Sequence, residues 1–161
     1  MRKEKVDEII DNMPEDVSLY GSLFTVANRI QAAGDKYLED VTMRQQFLLS
    51  CLELFDDSHP TLHELAHVFG SSYQNIKRIA KQLEAANYLE IRKDSFDRRK
   101  LRIILNKEKY NLLKGKLEEG NNRFSEILLD GVSKEEKIVL HKTLLKMENN
   151  LNNLEDKLEE F

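Results

Sequence analysis

Nine basic residues crowd one stretch of this 161-residue chain: Lys77, Arg78, Lys81, Arg92, Lys93, Arg98, Arg99, Lys100 and Arg102. Only Glu84, Glu90, Asp94 and Asp97 oppose them, so the stretch carries +5 while the rest of a chain of net charge −4 carries −9. Lysine and arginine clustered in this way are phosphate-binding chemistry. Salt screens charges beyond about 10 Å, so the local excess counts for more than the chain average. Gln74 and Asn75, just before Arg78, add side chains able to read base edges: the amides suit adenine and the guanidinium suits guanine. A second constellation is His63-Glu64-Leu65-Ala66-His67, an H-E-x-x-H pattern. Two imidazoles at i and i+4 on one helix face can hold zinc, with the glutamate as base. His59 extends the four-residue recurrence, although Pro60 separates it from the helix. The third is Cys51, which lies in an apolar stripe with no evident basic neighbour and so reads as a small hydrophobe in preference to a redox switch.

The elements that must position these groups are mostly helices. Val6, Ile9, Ile10 and Met13 recur at helical spacing. Pro14 interrupts, and Val17, Tyr20, Leu23, Phe24, Ala27 and Ile30 follow, with Gly34-Asp35 as a stop. Thr42–Gln45 and Thr61–Glu64 have capping-box spacing. The first opens a helix with Phe47, Leu48, Cys51, Leu52 and Phe55 inward. The second opens a short helix with Leu62, Leu65, Ala66 and Phe69 apolar, ending at Gly70. Asp56 to Pro60 reads as the loop between them. Ser71-Ser72 caps the next helix, where Ile76, Ile79, Ala80 and Leu83 face inward and Tyr73, Gln74, Asn75, Lys77, Arg78 and Lys81 fall mainly on the other side. Asn87 ends it in a left-handed cap. Two short helices about three residues apart, the second polar and basic on one face, read as helix-turn-helix. Tyr88–Arg92 and Lys100–Leu105 are strand-like around a charged loop, so a β-hairpin follows, which in this position is a wing.

Asn106 caps a long helix toward Leu129, with Gly115 and Gly120 as places of disturbance. Asp130-Gly131 makes a turn, and Ser133–Glu136 has capping-box spacing. Beyond it Leu140, Leu144, Met147, Leu151, Leu154, Leu158 and Phe161 recur at alternating spacings of four and three, an a/d seam. A seam this narrow requires a partner helix, either the N-terminal helices or a second copy of the chain.

From Val41 to Leu105 the sequence resembles the MarR family of transcriptional regulators. The resemblance rests on Thr61-Leu62-His63-Glu64-Leu65-Ala66, on Lys77-Arg78-Ile79 with Gln82-Leu83-Glu84-Ala85-Ala86, and above all on Asp94-Ser95-Phe96-Asp97-Arg98-Arg99, which is similar to that family's wing. It implies a winged-helix dimer held by its terminal helices, with recognition helices in successive major grooves and wings at the adjacent minor grooves. It also implies a repressor, and for many members release by a small ligand or by oxidation. By position Arg78 matches a recurrent recognition-helix arginine, and Arg98 and Arg99 match the wing arginines. Three positions depart from the pattern: Asn87 for a frequent glycine, Asn106-Lys107-Glu108-Lys109 for Leu-Thr-x-x-Gly, and Phe96 at a tip position that is often polar.

The expected architecture is therefore mostly α (α+β), a winged helix-turn-helix with a two-stranded β-wing and long N- and C-terminal dimerisation helices. Residues 1–40 and 106–161 are assigned to dimerisation and 41–105 to DNA binding. The expected interface is Ser72, Tyr73, Gln74, Asn75, Lys77, Arg78 and Lys81 on the helix, with Lys93, Arg98, Arg99 and Lys100 on the wing. The partners are double-stranded DNA (an inverted repeat, by symmetry), a second copy and a small-molecule effector. No catalytic residue, cofactor or metal site is assigned. The alternatives are a metal-sensing regulator using His63 and His67 and, more remotely, a zinc hydrolase. In the hydrolase reading Glu64, Leu65 and Ala66 already serve cap and core, and only Glu84 and Glu90 lie at plausible distances for a third ligand. No apolar run approaches the roughly 20 residues of a membrane span. Met1-Arg2-Lys3-Glu4-Lys5 leads into acids and not into an apolar signal stretch, and a single cysteine suits a reducing cytoplasm.

Overall fold

Short-range capping bonds set most of the helix boundaries in the computed structural model, which describes residues 12–38, 40–55 and 58–159. The element order is α1 Glu15–Tyr37, α2 Met43–Leu54, α3 Leu62–Val68, α4 Tyr73–Ala85, β1 Leu89–Lys93, β2 Leu101–Leu105, α5 Lys107–Leu128 and α6 Lys134–Glu159. Both capping boxes expected for α2 and α3 form, Thr42 with Gln45 and Thr61 with Glu64. Ser133 and Glu136 bond reciprocally at 2.8 and 3.2 Å ahead of α6. Ser72 Oγ accepts from the Asn75 N–H at 3.3 Å, and Asn106 Oδ1 accepts from the Lys109 N–H at 3.1 Å. These bonds satisfy first-turn N–H groups that have no partner within the helix. Val6, Ile9, Ile10, Phe161 and the side chain of Leu158 lie outside the described residues.

The residues up to Asn122 form one compact unit and those from Arg123 a second. In the first, α2 packs against α1, α3, α4 and β2, and α4 packs against α3 and β1. Leu48, Leu49 and Leu52 of α2, Leu62 and Leu65 of α3, Ile76, Ile79 and Leu83 of α4 and Ile103 of β2 share one core, closed by Tyr110, Leu113 and Leu117 of α5. Each such aliphatic side chain contributes about 1.5–3 kcal/mol on burial. β1 and β2 pair antiparallel, with Leu89 opposite Leu105, Ile91 opposite Ile103 and Lys93 opposite Leu101. The segment before α3 joins the sheet edge: the Ile103 N–H donates to the Pro60 carbonyl at 2.9 Å, and Thr61 bridges to Arg102.

Three local expectations are corrected. Gly34 does not end α1, which continues to Tyr37. Its missing side chain admits Met43 instead: a Cβ on Gly34 would lie 2.0 Å from Met43 Cε, and the Met43 N–H donates to Asp35 Oδ1 at 2.7 Å. Gly115 and Gly120 leave α5 unbroken. On α2 Leu49 is buried together with Leu48, Cys51 and Leu52, while Phe47 is 51% exposed and its ring lies tilted at 47° to Phe69, 4.9 Å between centroids.

In the second unit Leu140, Leu144, Leu151 and Leu154 of α6 are exposed, and Met147 is half-buried. The α1 stripe is likewise open, with Phe24 68% exposed and Tyr20 set edge-on to it at 6.3 Å. Among the described residues no helix is long and apolar enough to cross a membrane.

Candidate nucleic-acid interface

The amphipathic pattern of α4 turns its polar edge outward by burying the other. Ile76, Ile79, Ala80 and Leu83 are in the core, while Gln74, Arg78 and Lys81 are exposed and Tyr73, Asn75 and Lys77 are half-buried. The preceding turn passes through Gly70 at φ 57°, and the following one through Asn87 at φ 60°, the left-handed cap that asparagine tolerates. Glu84 Oε1 accepts the Ile91 N–H at 2.8 Å and ties the helix to β1.

Side-chain bonds sort the residues of this edge. Asn75 Nδ2 donates to Ser71 Oγ at 2.8 Å, and its Oδ1 accepts from Arg78 at 3.0 Å, so the amide holds the guanidinium. Tyr73 stacks on His63 at 4.5 Å, with Lys77 Nζ 5.7 Å from its ring. Among the described residues Gln74 and Lys81 bond to no side chain.

The hairpin loop is organised by Asp94, which is buried and which the sequence offers only as one of the opposing acids and as part of the wing pattern. Its Oδ1 accepts the Phe96 and Asp97 N–H groups, both at 2.8 Å, and its Oδ2 accepts from Arg102. Arg102 also donates to the His59 carbonyl at 2.8 Å. The Asp97 N–H bond, then Arg102, then the Phe96 N–H bond hold the Asp94 carboxyl down to about 2. The Asp94 N–H donates to the Lys100 carbonyl at 3.0 Å, and the Lys100 N–H to that of Asp97 at 2.8 Å, closing the loop.

Three of the nine cations are thus engaged by acids: Arg102 with Asp94, Arg92 with Glu90 at 2.6 Å, and Arg99 Nε with Asp97 Oδ1 at 3.2 Å. The Arg99 bond keeps the Asp97 carboxyl below its ordinary range, and Asp97 orients that arginine, which remains open to solvent. Lys93, Arg98 and Lys100 are exposed and unpaired among the described residues. Two groups of cations are thus clear of acids among the described residues, Lys77, Arg78 and Lys81 on α4 and Lys93, Arg98 and Lys100 on the wing. Phe96 at the tip is 100% exposed.

The H-E-x-x-H residues are engaged otherwise. Glu64 Oε2 accepts the Thr61 N–H at 2.6 Å, which lowers its pKa and leaves it a poor base. Glu84 and Glu90 hold Ile91 and Arg92. His59, at φ 47°, lies outside α3. Among the described residues no group of three or more His, Cys, Asp or Glu is placed to hold a metal. Burial in the core raises the Cys51 thiol pKa, opposite to what a reactive thiolate needs.

No protein-family model and no curated protein matches the sequence. Solved structures do match, and many are MarR-family transcriptional regulators. A MarR protein from Peptoclostridium difficile superposes with TM-score 0.74 at 23% identity, over 91% of this chain and 95% of that one. The S. aureus MepR–DNA complex gives 0.69 at 21%, over 81% and 97%. Bordetella bronchiseptica BpsR, whose DNA binding is regulated by 6-hydroxynicotinic acid, gives 0.69 at 18%, over 84% and 96%. The fold is that of these winged-helix regulators.

Proposed function

We propose that this chain is a dimeric, sequence-specific DNA-binding regulator of the MarR type, a repressor released by a small ligand. The observation that carries the proposal is the pairing of a core-anchored basic helix edge with a rigid hairpin that presents unpaired cations. In this reading the α4 edge enters the major groove. Gln74 reads a base edge, and Arg78, held by Asn75, takes a guanine bidentately. Ser72, Tyr73, Lys77 and Lys81 set the helix on the backbone, while Lys93, Arg98, Arg99 and Lys100 bring the wing to the neighbouring phosphates. Contacts to phosphate supply affinity and register, and contacts to bases supply sequence choice.

Residues 41–105 are the DNA-binding part, and residues 1–40 and 106–161 hold two copies together. The exposed apolar residues of α1 and the Leu140, Leu144, Met147, Leu151 and Leu154 seam of α6 are surfaces that a second copy would cover. A two-fold dimer then favours an inverted repeat. An open apolar groove of about 420 Å³, lined by Ala27, Ile30, Met43, Phe47 and Phe69, suits a small aromatic effector. Gln31 and Arg44, bonded at 2.8 Å, give it a polar edge.

Selection of random duplex DNA on the purified chain tests the proposal. Enrichment of an inverted repeat, bound with affinity that falls steeply as salt rises, is the expected outcome. Failure to bind any duplex at low salt refutes it.

A further inference from the structure

The wing tip carries a group that neither folding nor phosphate binding requires. The Phe96 ring is wholly exposed, whereas the Ile91 and Leu101 side chains at the hairpin base pack against the core. Its backbone is nevertheless fixed. The Phe96 N–H is bonded to Asp94 Oδ1 at 2.8 Å, the next N–H shares that oxygen, and Arg102 anchors the carboxylate from below. The ring is thus an apolar group on a rigid mount, for which the entropy of ordering the loop is already spent in folding.

Its neighbours define what it can meet. Lys93, Arg98 and Lys100 are exposed and unpaired among the described residues, and Arg99 is solvent-facing. An apolar protein surface would have to desolvate these cations without compensation. A groove walled by phosphates and floored by stacked bases accepts both features, since the walls take the cations and the floor takes the ring. We propose that Phe96 is a wedge that enters the DNA minor groove and partly unstacks one base step. Pyrimidine–purine steps, which open most easily, are the preferred sites. The ring then reads deformability at a position where the wing makes no hydrogen bond to a base. This inference rests on the DNA-binding reading and adds a specificity-determining residue to it.

The test uses a duplex enriched by selection on the wild-type chain, with permanganate footprinting to report unstacked thymines. With the wild-type protein a thymine at one step in each flank becomes reactive. With Phe96→Ser that reactivity disappears and affinity falls about tenfold for each ring, hence about a hundredfold for the two rings of a dimer. The slope of binding against salt stays the same, because no charge is removed. Phe96→Trp keeps both reactivity and affinity. An unchanged affinity for Phe96→Ser, with no reactive thymine in the wild-type complex, overturns the wedge and leaves DNA binding standing, which loss of affinity in Arg98→Ala would show separately. A reduced salt slope in Phe96→Ser also overturns it, since the ring would then act only by placing arginines. A change in mass without DNA reassigns the ring to contact between copies. No binding by the wild-type chain refutes the function and the wedge together.

Discussion

Arg98→Ala tests the phosphate contact proposed for the wing. Arg98 is exposed and has no partner among the described residues, so its removal leaves no buried group unsatisfied and folding is expected to survive. Each phosphate neutralised releases about 0.9 of a counterion, so the slope of log K against log salt falls by about 0.9 for each phosphate left without its arginine. Referred to 1 M salt, one such arginine is worth about eightfold in affinity at about 0.1 M. A dimer carries two, hence about sixtyfold, close to 2.4 kcal/mol, and about 1.8 in slope. Fluorescence anisotropy of a labelled selected duplex over a salt series measures both quantities. Lys142→Ala, an exposed lysine of the second unit, is the control expected to change neither. A folded Arg98→Ala protein with unchanged slope refutes the phosphate assignment. An equal loss of affinity in the lysine control shows that the measurement reports only net charge.

Asp94 gives a pH prediction. Its folded pKa of about 2 lies below the ordinary carboxylate value near 3.9, so its contribution is full above about pH 4 and is lost as pH falls toward 2. Melting temperatures of wild type and Asp94→Asn should converge over that window, and parallel curves would exclude the role given to Asp94. Leu144→Lys with Leu151→Lys should reduce the mass seen in light scattering from two chains to one; a persistent dimer removes α6 from the interface. Asn87→Ala should cost about 1 kcal/mol in denaturant unfolding and Asn87→Gly almost nothing, because only alanine resists the left-handed backbone. Equal costs would mean that the asparagine side chain and not its φ matters.

What could be read from the sequence was what neighbours decide. Thr42 with Gln45, Thr61 with Glu64 and Ser133 with Glu136 are caps whose partners lie three residues away, and all three form. The α4 stripe and the strand alternation also follow from a fixed period. Gly34 was misleading because its reason is Met43, on the next helix. Leu49 escaped the single-stripe reading because α2 is enclosed on several sides at once. Of the site, the cations and the wing pattern were visible, but a charge count does not say which charges are taken. Arg102 counts the same as Arg98 in the sequence, yet one is bonded to Asp94 and a carbonyl and the other is open. Nothing short of the folded helices shows that Asn75 holds Arg78 within α4 or that Tyr73 of α4 lies on His63 of α3.

The hairpin loop is fixed in a way that leaves its tip free to change. Its backbone depends on two carboxylates, Asp94 and Asp97, one guanidinium from β2 and the carbonyls of Asp97 and Lys100, none of which involves the side chains of Ser95, Phe96 or Arg98. Those three positions are therefore a replaceable cartridge. Drift or deliberate exchange at them alters the surface of the tip while the holder stays the same, so, if the proposed wing contact holds, new target preferences are reachable by single substitutions that remove none of the loop's bonds.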